Sequence, residues 1–249
     1  MRVTVTAWLM AAALGLPPAA AGAQSLASDA KRRDAFVNYR AGQELLSSER
    51  WDQAAEAFRA AVTLDPLFVD AHYGLGQAYM GAMRFASAAQ AYTACLAAAR
   101  AVHGLRDRDR VAVDRRIDEE IRELKDAGRR IQSQPGQASA LKAVQVDLRI
   151  QDLERSRSSN TGAFAPPAGV LLALGSAHFR NGARADAEAQ WAEAVRVNPT
   201  LGEAWNNLAV VRMQAGRKAE ALEAVTRAER AGFRVHPRLK DDITRLPPP

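Results

Sequence analysis

Between Gly202 and Gly232 the apolar residues fall into two runs of helical spacing, broken at Ala215-Gly216. Trp205, Leu208 and Val211, with Arg212 beside them, share one face of the first run, and Ala221, Val225 and Ala228 share one face of the second. Spacings of three and four residues mark amphipathic helices. Small and large positions interlock: Ala209 lets the second helix approach the first, and Ala221 and Ala228 do the same from the other side. Two helices joined by a short Gly turn predict a hairpin. One hairpin cannot bury its own apolar face, so it requires stacked neighbours.

The chain supplies them. Moving 34 residues toward the N-terminus from Gly202 reaches Ala168, and there Leu174-Gly175 match Leu208-Ala209, Gly182 matches Gly216, Ala187 matches Ala221, Trp191 matches Val225 and Ala194 matches Ala228. Asn198-Pro199 closes that unit. Ala35 to Pro66 fits the same ruler through Gly42, Trp51, Ala54, Phe58, Ala61 and Asp65-Pro66, and Val69 to Arg100 follows with Leu75-Gly76, Tyr79, Phe85, Ala88, Tyr92 and Cys95. This pattern resembles the tetratricopeptide repeat family, whose units alternate large and small residues along two helices and close on Pro. The resemblance covers roughly half of the chain. It departs where Arg100 and Phe233 stand for the closing Pro and where His178 and Arg212 stand for a Tyr. It implies an all-α fold, a helical-hairpin solenoid in which repeats at 35–102 and 168–234 flank an elongated helical hairpin at 103–157.

The ruler fails after Ala101. His103-Gly104 reads as a break, and Val113, Ile117, Ile121, Leu124 and Ile131 then mark an amphipathic helix over 107–132. Asp118 with Arg122 and Asp126 with Arg130 are spaced as ion pairs one turn apart, each worth a few tenths of a kcal/mol on an exposed helix. Pro135-Gly136 reads as a turn, and Leu141, Val144, Leu148 and Leu153 mark a second helix over 140–155. Such a hairpin is expected to continue the stack, with a projecting coiled-coil arm as the alternative. Residues 158–167 read as a linker, and 235–249 as a capping helix that starts near His236-Pro237 and ends in a frayed Pro tail.

Residues 1–23 combine Arg2, a short apolar core over Val5 to Leu16, Pro17-Pro18, and Ala21-Gly22-Ala23. This tripartite pattern predicts a secretory signal peptide cut after Ala23, with 24–34 as a loose lead-in. The apolar core is short for a membrane span, so no stable membrane insertion is expected after cleavage and the mature chain is expected in the periplasm or outside the cell. Cys95 is the only cysteine, which rules out an intrachain disulfide, and its position reads as a small buried hydrophobe. The net charge of +6 comes from basic residues interleaved with acids. No basic stripe with aromatics is present, so nucleic acid is not an expected partner.

Candidate chemistry is sparse. His72, His103, His178 and His236 form no metal-ligand spacing, and no nucleophile elbow or phosphate loop occurs. His72 and His178 read as packing residues, and no cofactor is expected. The resemblance implies a binding groove lined by first helices. Carried over by position, its residues are Tyr39, Arg40 and Gln43 in repeat one, Tyr73 and Gln77 in repeat two, Ser176, Phe179 and Arg180 in repeat three, and Asn206, Asn207 and Met213 in repeat four. Asn207 resembles the Asn with which some family members hold a peptide backbone or terminal carboxylate, although the full clamp requires Lys and Arg partners in adjoining repeats. The expectation is a non-catalytic scaffold of the bacterial cell envelope that binds a partner peptide or helix. Tyr39, Tyr73 and Phe179 leave open a second class, glycan or lipid binding in an envelope or transport complex. Oligomeric state is not legible in the sequence.

Overall fold

The structure is a computed structural model that describes residues 27–133, 137–158 and 164–247. The leader at 1–23, Pro135-Gly136, much of the expected linker and the final prolines lie outside the described residues, as do the side chains of Val113 and Leu141. Among the described residues there are ten helices. Helices α1 (Asp29–Ser47) and α2 (Trp51–Leu64) form the first hairpin, and α3 (Val69–Gly81) pairs with the start of α4 (Phe85–Gln132). After α5 (Gln137–Ser158) come α6 (Ala168–Arg180) with α7 (Arg184–Val197), α8 (Gly202–Gln214) with α9 (Lys218–Arg230), and the terminal α10 (Pro237–Arg245). None of the described helices is long and apolar enough to cross a membrane.

Each hairpin closes by setting a large side chain on a residue with no room for one. A Cβ at Gly42 would lie 2.8 Å from the Phe58 ring, one at Gly76 would lie 2.4 Å from Tyr92, and one at Gly175 would lie 2.5 Å from Trp191. The two partners are sixteen positions apart in every case, and the fourth hairpin keeps the register with a smaller pair, Ala209 and Val225, both buried. Repeat ends are also built alike. Asp65 Oδ1 accepts from the Leu67 N–H at 3.1 Å, and Asn198 Oδ1 accepts from the Thr200 N–H at 3.2 Å. The side chain thus satisfies backbone donors just where Pro66 and Pro199 stop the helix.

The turn inside each hairpin needs one residue in the left-handed region. Gly182 (φ 84°) and Gly216 (φ 73°) supply it in the later repeats, but Glu49 and Met83 do so in the earlier ones, both at φ 57°. A side chain there costs on the order of 1 kcal/mol. Met83 is 71 % exposed, so it recovers little by packing. Met83→Gly is therefore expected to stabilise the protein by about 0.5–1 kcal/mol after the entropy that Gly adds to the unfolded chain. A urea midpoint that does not rise would show that the turn carries no strain.

The repeats form one array. Val69, Ala88, Tyr92 and Cys95 of the second repeat share a buried cluster with Val170, Leu174 and Ala177 of α6. Repeat three thus packs directly on repeat two, and the residues between them are an insertion. The expected continuation of the stack through 103–157 is not what forms. The reason is that α6 takes the surface on α4 that the hairpin would need.

Nor does His103-Gly104 break the helix, as α4 is helical from Phe85 to Gln132. It bends instead. Glu120 bonds Arg149, Arg149 bonds Asp70, and the carbonyl of the adjacent Val69 accepts from Cys95 Sγ. A straight helix would hold Cys95 and Glu120 about 37 Å apart, further than this chain of contacts can reach. The outer limb of α4 therefore returns toward the repeats, with Ile117 and Ile121 packed on Leu153 of α5 and Val102 against them. The expected apolar stripe of α5 holds at Leu148 and Leu153, which pack inward, but not at Val144, which is 55 % exposed, and Asp152 is buried beside Leu153. In the outer limb Asp126 pairs with Arg129 rather than with Arg130, and Arg122 Nε donates to the Asp118 carbonyl at 3.2 Å.

The C-terminal segment caps the last hairpin. His236 accepts from the Arg238 N–H at 3.2 Å and so starts α10. Ile243 is fully buried, and Lys218 Nζ donates to the Thr244 and Leu246 carbonyls at 2.6 and 2.7 Å. A terminal repeat needs such a cover to hide its apolar face.

Candidate partner-binding groove

The first helices α1, α3, α6 and α8 turn one face away from their hairpin partners, and that face is the candidate groove. Over the first two repeats it is covered by the chain itself. Arg116 of the returning limb of α4 lies with its guanidinium 5.4 Å from the centre of the Phe68 ring, and its Nη2 sits 3.1 Å from Asp65 Oδ2. One turn on, Glu120 meets Arg149 of α5, whose Nη2 donates to Glu120 Oε1 at 2.7 Å and whose Nε donates to Asp70 Oδ1 at 2.7 Å. Asp152 of α5 accepts from the Gly169 N–H at 3.5 Å and so sits on the start of α6. Further along, Arg40 of α1 borders a shallow surface cleft with Glu123, Asp126, Arg129 and Arg130 of α4.

This cross-link is buried and its electrostatics follow from that. The side chains of Asp70, Glu120 and Arg149 are 5, 8 and 10 % exposed. Burial pushes the Glu120 carboxyl well above the usual carboxylate range, Asp70 adds to this by charge and hydrogen bonding, and Arg149 opposes it. For Arg149 burial works against the charge, but Asp70 and Glu120 outweigh it and hold the guanidinium ionised. Burial also pushes the Cys95 thiol up to about 12, so it stays a thiol.

The cover changes what the sequence-derived groove residues can do. Tyr39 is 6 % exposed, and its hydroxyl accepts from Gln43 Nε2 at 2.8 Å. The Tyr73 ring lies tilted 5.5 Å from that of Tyr92, and burial raises its hydroxyl above the usual range. The Tyr39 hydroxyl is thus engaged within the protein, whereas Tyr73 is half-buried among residues of the first limb of α4 and α6. In repeat three, Ser176 donates to the Leu172 carbonyl at 3.0 Å, and Phe179 packs 5.6 Å from Trp191. Arg180 lies 5.0 Å over the Phe85 ring, at the seam with α4. Met213 packs against the core of the second repeat pair. Arg40 stays exposed and Gln77 half-buried. Asn206 and Asn207 are half-buried and make no hydrogen bond with described residues, so they keep donors and acceptors for a ligand.

Sequence reasoning missed the charged residues that fasten the cover. Their signal was present. Arg116 and Glu120 are interleaved with Ile117, Ile121 and Leu124 at helical spacing, so they fall within the apolar stripe. Among the described residues no group of His, Cys, Asp and Glu could hold a metal ion. His72 is a packing residue, with a ring nitrogen 2.9 Å from the Pro66 carbonyl, and burial lowers its pKa.

A family model described as tetratricopeptide repeat matches residues 39–103 and 172–232, just over half of the chain. The chain belongs to the tetratricopeptide repeat family. The matched stretches end within α4 and resume within α6, so the outer limb of α4 and α5 lie outside the repeat pattern. No curated protein matches the chain. Among solved structures, one of Pseudomonas aeruginosa PilF shares 17 % identity over 86 % of this chain and 89 % of its own, with a TM-score of 0.34. The structure of YrrB, described as a tetratricopeptide repeat protein with an unusual peptide-binding site, shares 16 % over 88 % and 94 %, with a TM-score of 0.31. A third, TTC0263 from Thermus thermophilus, shares 18 % over 85 % and 96 %, with a TM-score of 0.27.

Proposed function

We propose that this tetratricopeptide repeat protein is a non-catalytic scaffold of the bacterial cell envelope that takes a peptide or helix of a partner protein on the part of the groove formed by α8. The observation that carries this reading is the state of Asn206 and Asn207. They lie on the face of α8 away from its core and have no hydrogen-bond partner among the described residues. Neighbouring amide groups, each with donors and an acceptor, suit the donors and acceptors of a bound backbone. The envelope location rests on the leader pattern over 1–23. A glycan-binding reading has less to draw on, since Tyr39 is buried and the half-buried Tyr73 and Phe179 spend ring surface on Tyr92 and Trp191.

The test is capture of partners from envelope extracts by the exported protein. Asn206→Ala with Asn207→Ala should leave the melting temperature close to wild type and weaken capture by about 1–3 kcal/mol. Glu223→Ala with Arg230→Ala, both exposed on the outer face of α9, is the control. Capture that survives the Asn changes and fails with the outer pair would move the binding surface to the convex side. Mass spectrometry of the exported protein should find Gln24 at its start, and an intact Met1 would sink the envelope reading.

A further inference from the structure

The open face of α6 is made of small residues. Its half-buried positions Gly169, Ala173 and Ser176 are spaced by four and three, so they share one face. The Ser176 hydroxyl is spent on the Leu172 carbonyl. The helices on either side carry unspent polar groups. On α3, Tyr73 and Gln77 stand one turn apart, half-buried and with no hydrogen-bond partner among the described residues. On α8, Glu203, Asn206 and Asn207 share a face at helical spacing and have none either. The charge of Glu203 helps to raise the Tyr73 hydroxyl, so α3 and α8 face each other over α6. The three first helices thus bound a trough with a small-residue floor and polar walls.

Glu203 sets the charge of this trough. Each glutamate of α7 and α9 is ion-paired, but Glu203 has no ion pair among the described residues. Nearby cations are already committed: Arg149, whose charge also acts on Tyr73, is held by Asp70 and Glu120, and Arg180 at the far end of α6 rests on Phe85. Glu203 is exposed, yet the protein around it raises its carboxyl above the usual value by desolvation. Water reaches the carboxylate while protein crowds its other sides, as on a concave surface. An incoming cation meets an unpaired charge that is less screened than one on an open surface. We propose that the partner segment carries a lysine or arginine whose cationic group seats on Glu203, while its backbone runs over Ala173 and Ser176 and bonds Asn206 and Asn207. This rests on the reading of α8 as the binding face and adds the charge of the partner. The small floor admits a backbone close to α6, and the amides supply donors and acceptors for it. A segment that presents acids or a terminal carboxylate at this point is repelled by Glu203.

The probe is a library of random peptides displayed on phage and selected on the full chain, as wild type and with Glu203→Gln or Glu203→Arg. The wild type should enrich peptides with Lys or Arg at one fixed position. Replacing that residue by Gln in a synthetic copy should weaken binding by about tenfold, the scale of a lost charge-assisted bond. Glu203→Gln should bind the two copies equally, and Glu203→Arg should select Asp or Glu at the same position. Glu203→Gln removes an unpaired charge from a crowded site, so its melting temperature should not fall below wild type. Peptides that lose affinity with Asn206→Ala and Asn207→Ala but ignore both charge changes would overturn the proposal and leave the groove reading standing. Enrichment of acidic peptides by the wild type would also overturn the proposal. Peptides indifferent to the Asn changes, or no enrichment at all, would overturn both.

Discussion

Replacing Arg149 with Met should release the inserted hairpin from the groove. The substitution leaves Asp70 and Glu120 facing each other with side chains only 5 and 8 % exposed. Breaking a buried ion pair by removing one partner costs about 3–5 kcal/mol, since the remaining charge is neither solvated nor paired. The hairpin is an insertion, so its release leaves the four repeats intact. The expected result is faster tryptic cleavage within α4 and α5, with Tyr39 becoming reactive to nitration and little loss of helical circular dichroism. Adding Asp70→Asn and Glu120→Gln to Arg149→Met should restore much of the protection, because the two amides carry no charge and can donate to and accept from each other. Wild-type proteolysis of the single variant would mean that apolar contacts at Ile117, Ile121 and Leu153 hold the hairpin without the charges.

The same cluster sets a pH dependence. Glu120 has a folded pKa raised above its unfolded value, first by burial and then by Asp70. The folded protein therefore keeps a proton that the unfolded chain has released. Its contribution is full below the unfolded carboxylate pKa and is lost as pH rises through the folded one. Glu120→Gln should flatten the fall in stability above the ordinary carboxylate range, as read by melts across that window. An unchanged slope would place the titration elsewhere.

What was legible in the sequence was whatever repeats. Gly42 with Phe58, Gly76 with Tyr92 and Gly175 with Trp191 are local pairs, set by the crossing of two adjacent helices. A fixed spacing reveals them because each hairpin solves the same packing problem. The insertion solves a different problem, once, with partners far apart: Arg149 and Asp70 are 79 residues from each other. Its residues read as an ordinary amphipathic hairpin, and Arg116 and Glu120 read as solvated charges, until α3 is placed opposite them. The bend of α4 leaves no proline behind to mark it, and Gly104 alone did not distinguish a bend from a break. The groove residues transferred by position were correctly placed on first helices. Which of them stay open depends on a segment that the repeat pattern does not include.

Leu208→Asp should unfold the second repeat pair. Leu208 is fully buried between α8 and its neighbours, in a cluster with Ala187, Trp191, Ala221, Val225 and Ile243. Removing a leucine side chain at such a site costs about 2–5 kcal/mol through lost transfer energy and the cavity left behind. The new carboxylate adds more, because it has no donor there and must either stay charged in an apolar site or take up a proton. A domain's whole stability is about 5–15 kcal/mol, and in a stacked array the loss falls first on the unit that carries the change. Hydrogen exchange should therefore show α6 to α9 losing protection while α1 and α2 keep theirs. Leu222→Asp is the control, since Leu222 sits on α9 at 41 % exposure and should shift stability by no more than about 0.5 kcal/mol. If both variants melt like the wild type, the interlocking of α8 with α7 and α9 is not what holds the C-terminal repeats together.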